Sequence, residues 1–580
     1  MQLEFDPLKQ LIARKIGSLS IDGLSESDVY KMLGPSPDTQ MGHLAFPCFK
    51  LAKQLKKGPP QIASELEQKL TTDSNIVEFK ATGPYLNIKF SMNCLGENII
   101  NCIHDNSVFE KELTTNSPRT MIEYSQPNTH KELHVGHMRN LCLGNALIRL
   151  LRYCNYPIIS ATFPGDVGTH VAKCLWYLKY HNKEEVPADR KGAWLGSIYT
   201  KATLKLEDEK GTDSEDQNRA ELTEILRQLE AGSGEYFDKW KETREWSIEL
   251  MESVYEWANV SFDQWYWESE VDSSSVSLIK DYYEKGLFIK DEGAIGIDLS
   301  DYKLGFCLLI KSDGNGLYAT KDIELARRKF EQHKIEKNIY VVDKRQAHHF
   351  KQVFKTLELM GFEQAKDCYH LQYDFVELPD GAMSSRKGNI VPLQELIDRM
   401  IETIKTEHLA KYNEQWSEQQ INHTANEVAQ GAIKYGMIRM DNSKKIVFDM
   451  KDWLKLDGES GPYIQYAHAR INSLCDKQGY DNQIDVNWDV LEKKQEVALL
   501  LKLSEFNNTV LVGAQQYKTH SVTSYLYDLA KLFNSFYAEC SIANAENENI
   551  KNARLSLAKA TAKILAKGLE LLGIPAPAQM

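Results

Sequence analysis

The chain has 580 residues, 42% hydrophobic, and its 69 Lys and Arg against 82 Asp and Glu give a formal net charge of −13. That length allows about four domains with several cores; no run of about 18 uncharged apolar residues offers a membrane span, and the acidic opening Met1-Gln-Leu-Glu-Phe-Asp6 lacks the apolar core of a secretory leader. Ten cysteines without a C-x-x-C pair argue against a disulfide framework or a structural zinc, so a reduced, cytoplasmic chain is expected; the acidic balance does not favour nucleic acid, although whole-chain charge says little about a local patch.

Residues 1–115 read as an N-terminal α+β domain. Its 38–90 portion ends in Thr82-Gly-Pro-Tyr85-Leu-Asn87. An aromatic and an amide on a strand edge suit an unstacked RNA base, so Tyr85 and Asn87 are candidate contacts. The apolar run 120–124 is a predicted strand, 138–153 a predicted helix and 157–163 a second strand. Between the first strand and the helix stands Pro127-Asn-Thr-His-Lys-Glu-Leu-His134-Val-Gly-His137. Backbone N–H groups and the positive dipole end at a helix start favour a phosphate. His134 and His137 can donate hydrogen bonds to it without a fixed charge. Gly136 leaves the backbone bare where a flat adenine could approach. The rival reading is a metal site built on His130, His134 and His137. A zinc-protease helix needs its glutamate directly after the first histidine, whereas Glu132 comes one position late. Pro127 and Gly136 also argue against one continuous helix through all three histidines. No metal ligand is assigned.

After the first half of this domain, 116–180, the segment 181–289 changes character. It is acidic around Glu207 and Asp213, then rich in Trp and Tyr over 236–267, and reads as a mostly helical insertion. Residues 290–390 resume the alternation. Strands are predicted at 294–299, 306–310, 338–343 and 369–378, and helices at 317–333 and 346–362. Such alternation means an α/β fold, a doubly wound, Rossmann-like parallel sheet. The stretch Asp380-Gly-Ala-Met383-Ser384-Ser385-Arg386-Lys387-Gly388-Asn389 combines glycines, hydroxyls and cations, a makeup suited to clamping a triphosphate and releasing pyrophosphate. Residues 391–444 form a connecting helical region and 445–580 an all-α domain, with Tyr463, Tyr466, His468 and Arg470 clustered. On the last helix Leu557, Ile564, Leu565 and Leu572 make one stripe. Lys559, Lys563 and Lys567 fall on the other side, a row free for phosphates.

His134-Val-Gly-His137 resembles the H-I-G-H element of class I aminoacyl-tRNA synthetases, and the 383–389 stretch resembles their K-M-S-K-S loop. Two departures matter: Ala382 and Ser385 stand where lysines are usual. Lys131, three residues before His134, could reach the same phosphates, and Lys387 is the alternative. That exchange resembles the arginine-specific family of the class. So do Ile122-Glu-Tyr-Ser-Gln-Pro-Asn128, Phe163-Pro-Gly-Asp-Val-Gly-Thr169, Tyr318-Ala-Thr-Lys-Asp322, Tyr340-Val-Val-Asp-Lys-Arg-Gln346 and Ser460-Gly-Pro-Tyr-Ile-Gln-Tyr-Ala-His-Ala-Arg470. The resemblance runs from about residue 40 to Met580.

The resemblance implies that Mg-ATP, L-arginine and tRNA(Arg) are the substrates; a monomer with no membrane partner is expected. Arginine is activated as its adenylate and then transferred to the terminal ribose of tRNA. It implies catalytic roles for His134, His137 and Lys131, and ATP contacts from His134, Gly136, His137, Met383, Ser384, Ser385 and Lys387. Asn128 would hold the main-chain end of arginine, and Glu123, Tyr318, Asp322 and Gln346 its side chain. Carboxylates suit a planar guanidinium with five donors. Tyr85, Asn87, Tyr463, Tyr466 and Arg470 would touch tRNA. A non-catalytic RNA-binding paralogue would have lost the phosphate site, yet both histidines and the loop are intact. A cysteine-specific member would want zinc ligands, and no suitable cysteine pair is present.

Overall fold

The computed structural model describes residues 4–21, 23–378, 381–382, 391–481 and 486–580. The chain divides into two compact units, Pro118–Trp453 and the combined segments Met1–Ser117 and Leu454–Met580.

The 118–453 unit is built on a five-stranded parallel sheet. Its strand order is Cys368–Tyr373, Lys337–Asp343, Thr120–Glu123, Ile158–Thr162, Gln264–Trp265. All four residues of Thr120–Glu123 are buried, as expected of a parallel strand covered on both faces. The chain leaves this strand toward Ile158–Thr162, while the later strand Lys337–Asp343 lies on its other side. The carboxyl ends of Thr120–Glu123 and Lys337–Asp343 therefore flank the topological switch point, where open α/β sheets bind ligands. Helix Val135–Tyr153 follows the central strand and buries Met138, Leu141, Leu147, Leu150 and Leu151.

Three sequence expectations change here. Ala294–Asp298 and Phe306–Ile310 are strands, but they form a separate antiparallel sheet with Ile289–Asp291. The connection between the first two is too short for a parallel crossover. The edge strand Gln264–Trp265 of the parallel sheet comes from within the segment read as insertion. The 369–378 strand is two: Cys368–Tyr373 in the parallel sheet, and Val376–Leu378 in a small sheet with Gly381–Ala382 and Ile446–Val447. The insertion proper is the helices Lys191–Asp208, Glu215–Ala231 and Glu235–Trp257. They pack on Thr169–Tyr180 through Leu175, Trp176, Ala202, Ile225 and Trp240.

The other unit has a four-stranded antiparallel sheet, ordered Gly34–Pro35, Leu44–Pro47, Tyr85–Phe90, Ile76–Thr82. It also holds the helices Gly461–Gln478, Lys494–Ser504, Phe506–Gln515, His520–Glu539 and Glu548–Leu571. Leu557, Ile564, Leu565 and Leu572 are all buried, as their stripe predicts.

Candidate active site

The loop leaving Thr120–Glu123 is fixed before it reaches the histidines. Ser125 and His130 both take left-handed backbone conformations, φ 56° and 60°. The Ser125 N–H donates to Asn140 Oδ1 at 2.6 Å, and the Thr129 N–H to the Gly165 carbonyl at 2.8 Å. The buried His130 ring lies between the hydroxyls of Thr129 and Thr243, at 2.9 and 2.8 Å, and the His130 backbone N–H donates to Ser247 Oγ. Both ring nitrogens are thus committed to fixing the loop, and burial pushes this imidazole down to about 3. Of the three histidines of the rival metal reading, His134 and His137 adjoin, but both ring nitrogens of His130 are taken by threonine hydroxyls. Among the described residues no group of three His, Cys, Asp or Glu side chains could hold a metal ion.

His134 is the N-cap of helix Val135–Tyr153, with extended backbone at φ −129° and ψ 169°. The Gly136 N–H donates to His134 Nδ1 at 3.1 Å, and the His134 N–H donates to His137 Nδ1 at 3.1 Å. Each Nδ1 is an acceptor and carries no proton, so each neutral ring presents Nε2–H as its donor. The two rings are tilted by 32° with centroids 3.9 Å apart. Burial, with Arg345 and Lys131 adding to it, pushes His134 down to about 4; burial and then His134 push His137 well below the ordinary histidine value. Near neutral pH the site therefore holds two uncharged donors at a helix start. Gly136 also has a reason within the loop itself. A Cβ there would meet His134 Cε1 at 2.9 Å, so the glycine makes room for the histidine ring.

Lys131 is half-buried and faces the same region. Burial and Lys173 lower its ammonium while Glu268 raises it, and its Nζ stands 5.1 Å from the centroid of the Tyr199 ring. Glu268 is a residue that sequence reasoning missed, since it lies in the segment taken as insertion. It starts helix Glu268–Glu284 and is 6% exposed. Burial pushes its carboxyl up to about 7 against the pull of Lys321, with Asp166, Asp322 and Asp272 adding to the rise. A Cβ on Gly165 would meet Asn128 Oδ1 at 2.4 Å and the Glu268 carboxylate at 3.4 Å. The glycine of Phe163-Pro-Gly165 is what lets the amide and this acid share one spot.

The residues expected around the arginine side chain are differently situated. Tyr318 and Asp322 share one face at the start of helix Tyr318–His333, and Tyr318 is 64% exposed. Asp322 Oδ2 is 2.6 Å from His349 Nε2. Burial would lower that imidazole, but the hydrogen bond and charge of Asp322 outweigh it and raise it. Gln346 is exposed just past the carboxyl end of Lys337–Asp343. Glu123 is not the free acceptor the sequence suggested. Its carboxylate is bonded to the buried Lys329 ammonium and accepts from Gln126 Nε2 at 3.1 Å. Lys329 and His349 were legible only weakly: Lys329 is seven residues after Asp322, two helical turns on the same face.

Met383, Ser384, Ser385 and Lys387 lie outside the described residues. The segments that lead into strands Val376–Leu378 and Ile446–Val447 are tied to the histidine helix by buried Arg139. Its guanidinium donates to the carbonyls of Asp374, Phe375, Asn442 and Lys444.

In the other unit, Tyr85 is 39% exposed and meets the exposed Phe49 edge-on, centroids 5.9 Å apart. Asn87 is 3% exposed in a central strand, which corrects its placement on an edge: a base cannot reach it there. Tyr463 OH accepts from Asn534 Nδ2 at 2.8 Å, Tyr466 is 37% exposed, and Arg470 stacks 4.3 Å from the Tyr537 ring centre. The free lysine row is also corrected. Lys563 donates to the carbonyls of Ile103 and His104 and to Asn106 Oδ1, Lys559 to Asn472 Oδ1, and Lys567 pairs with Glu570.

Three family descriptions match the chain: the arginyl tRNA synthetase N-terminal domain over residues 6–90, the catalytic domain of tRNA synthetases class I (R) over 99–450, and the DALR anticodon binding domain over 464–580. An arginine–tRNA ligase of Bdellovibrio bacteriovorus is 55% identical over 573 residues, covering 99% of this chain and 98% of that protein. One from Clostridium botulinum is 34% identical, with 98% of each covered. The solved arginyl-tRNA synthetase of Thermus thermophilus matches with a TM-score of 0.78 and 26% identity over 99% of both chains.

Proposed function

The chain belongs to the arginyl-tRNA synthetase family, and we propose from that premise how its residues divide the work of joining L-arginine to tRNA(Arg). The reaction is ATP-dependent and has two steps. One carboxylate oxygen of arginine attacks the α-phosphorus of ATP, pyrophosphate leaves, and arginyl-adenylate remains. A ribose hydroxyl of the terminal tRNA adenosine then attacks the arginyl carbonyl carbon, and AMP leaves.

The observation that carries the assignment is the pair of neutral imidazoles at the helix start, both with Nδ1 engaged by backbone and Nε2–H left to donate. Such fixed donors favour charge developing on phosphate oxygens without reorganising during the step. Lys131 is the cation for the departing pyrophosphate, a task shared with Ser384, Ser385 and Lys387 of the loop. Magnesium arrives with ATP as part of the substrate. Asn128 holds the main-chain end of arginine. Asp322 gives the guanidinium its anionic partner, flanked by Tyr318 and Gln346. Glu123, already paired with Lys329, contributes shape and a hydrogen-bond acceptor more than net charge.

The N-terminal and helical domains take the tRNA, with Tyr85, Tyr463, Tyr466 and Arg470 as contacts. A monomer in a reducing, cytoplasmic setting completes the proposal, the latter in keeping with ten cysteines that form no C-x-x-C pair. ATP–pyrophosphate exchange dependent on arginine, measured with and without tRNA(Arg), tests the assignment. Exchange driven equally by lysine or cysteine, or none under either condition, would remove it.

A further inference from the structure

Helix Lys191–Asp208, first of the insertion, lies against the loop that carries Lys131. A Cβ on Gly196 would meet the Glu132 backbone N at 2.7 Å and its Cα at 3.0 Å, so the helix approaches the loop closely there. Tyr199 is three residues further, on the same helix face. The Lys131 ammonium stands 5.1 Å from its ring centroid, within the roughly 6 Å over which a ring face attracts a cation.

The surroundings give that contact a task. The side chain of Lys131 is half-buried, where desolvation works against its charge. Lys173 repels it. Glu268 attracts it, but Glu268 also faces Lys321 at 3.7 Å. A ring face stabilises an ammonium without neutralising it or withdrawing a phosphate-binding proton, whereas a carboxylate at that distance would compete with the phosphates.

We propose that Tyr199 is a positioning residue, holding the Lys131 ammonium toward the phosphate site so that the insertion helix contributes to arginine activation. This rests on Lys131 being the pyrophosphate cation, and the test separates the two claims. Pyrophosphate exchange at saturating tRNA(Arg) is compared in the intact enzyme for Tyr199→Leu, Tyr199→Phe, Lys131→Ala and the double variant Tyr199→Leu, Lys131→Ala. Tyr199→Leu should lower kcat roughly threefold to thirtyfold, the range of one cation–ring contact, with the KM for arginine unchanged. Tyr199→Phe, which keeps the ring, should recover most of that loss. The double variant should be no slower than Lys131→Ala alone.

If Lys131→Ala is slow while Tyr199→Leu matches wild type, Tyr199 does not position it. A Tyr199→Leu loss that persists in the Lys131→Ala background likewise overturns the proposal. A Lys131→Ala enzyme as fast as wild type removes the assignment of Lys131 itself. Should Tyr199→Leu fail to fold, Tyr199→Met is read by the same criteria. A ¹³C-dimethylated Lys131 then reports independently: its methyl signal should carry a ring-current shift in wild type and Tyr199→Phe that is absent in Tyr199→Met, and the same shift in all three would also overturn the proposal.

Discussion

The Glu123 carboxylate is bonded to the Lys329 ammonium in a buried pair, the acid 3% exposed and the base fully buried, at the end of the central strand. The ammonium also faces the Tyr340 ring, 4.6 Å from its centre. Neither group is open to bulk solvent, so removing one leaves the other buried without its ion partner. Glu123→Gln should cost about 3–5 kcal/mol of stability, and adding Lys329→Met should return a large part of it. Denaturant unfolding of the catalytic unit in both variants measures this. Undiminished stability in Glu123→Gln alongside weakened arginine binding would mean that arginine, not Lys329, is the main partner of this carboxylate.

The two histidines differ from ordinary phosphate ligands in having a fixed tautomer. His134→Ala or His137→Ala should lower activation roughly 10²–10³-fold, as loss of one preorganised donor does. Glutamine, whose amide nitrogen overlays Nε2, should retain more activity than asparagine, whose amide nitrogen overlays Nδ1. Arginine affinity should change little in all of these. Single-turnover adenylate formation distinguishes the series, and asparagine outperforming glutamine would invert the assigned donor.

Asp322 should carry most of the selection for a cationic side chain. Asp322→Asn is expected to weaken arginine binding by about 1.5–3 kcal/mol while ATP binding holds. His349 adds a pH dependence, because Asp322 raises its imidazole above the ordinary value. His370, from the neighbouring strand, faces the same ring. As pH falls through the His349 value, the imidazolium competes for the Asp322 carboxylate and the KM for arginine should rise. His349→Asn should flatten that profile. A profile unchanged by the substitution would assign it to another group.

Acid should destabilise the fold through its buried histidines. Burial pushes His130 down to about 3 and His43, His104 and His134 down to about 4. The unfolded chain binds these protons near pH 6.5 and the folded chain resists them. Stability is therefore full above about pH 6.5 and declines as pH falls toward the folded values. Thermal midpoints between pH 7 and 4.5 should drop, and His130→Gln should make the decline shallower; an equally steep decline in that variant would clear His130 of a part in it.

The sequence by itself carried the parallel sheet, because buried strands and crossover helices leave periodic apolar runs that need no partner to be read. It also marked the helix start proposed as the phosphate site, because His134, Gly136 and His137 are contiguous and a helix start is a local property. What the tertiary structure decided is which charges meet. Glu123 and Lys329 are 206 residues apart, and only the pairing of Thr120–Glu123 with Lys337–Asp343 and the helix packed on them brings the two together. Glu268 joins the site because Gln264–Trp265 adds an edge strand to the sheet just before its helix starts, a pairing no local pattern announces. The same reason misplaced Asn87 and the Lys563 row: a residue's face can be read from periodicity, but what covers that face depends on residues distant in the chain.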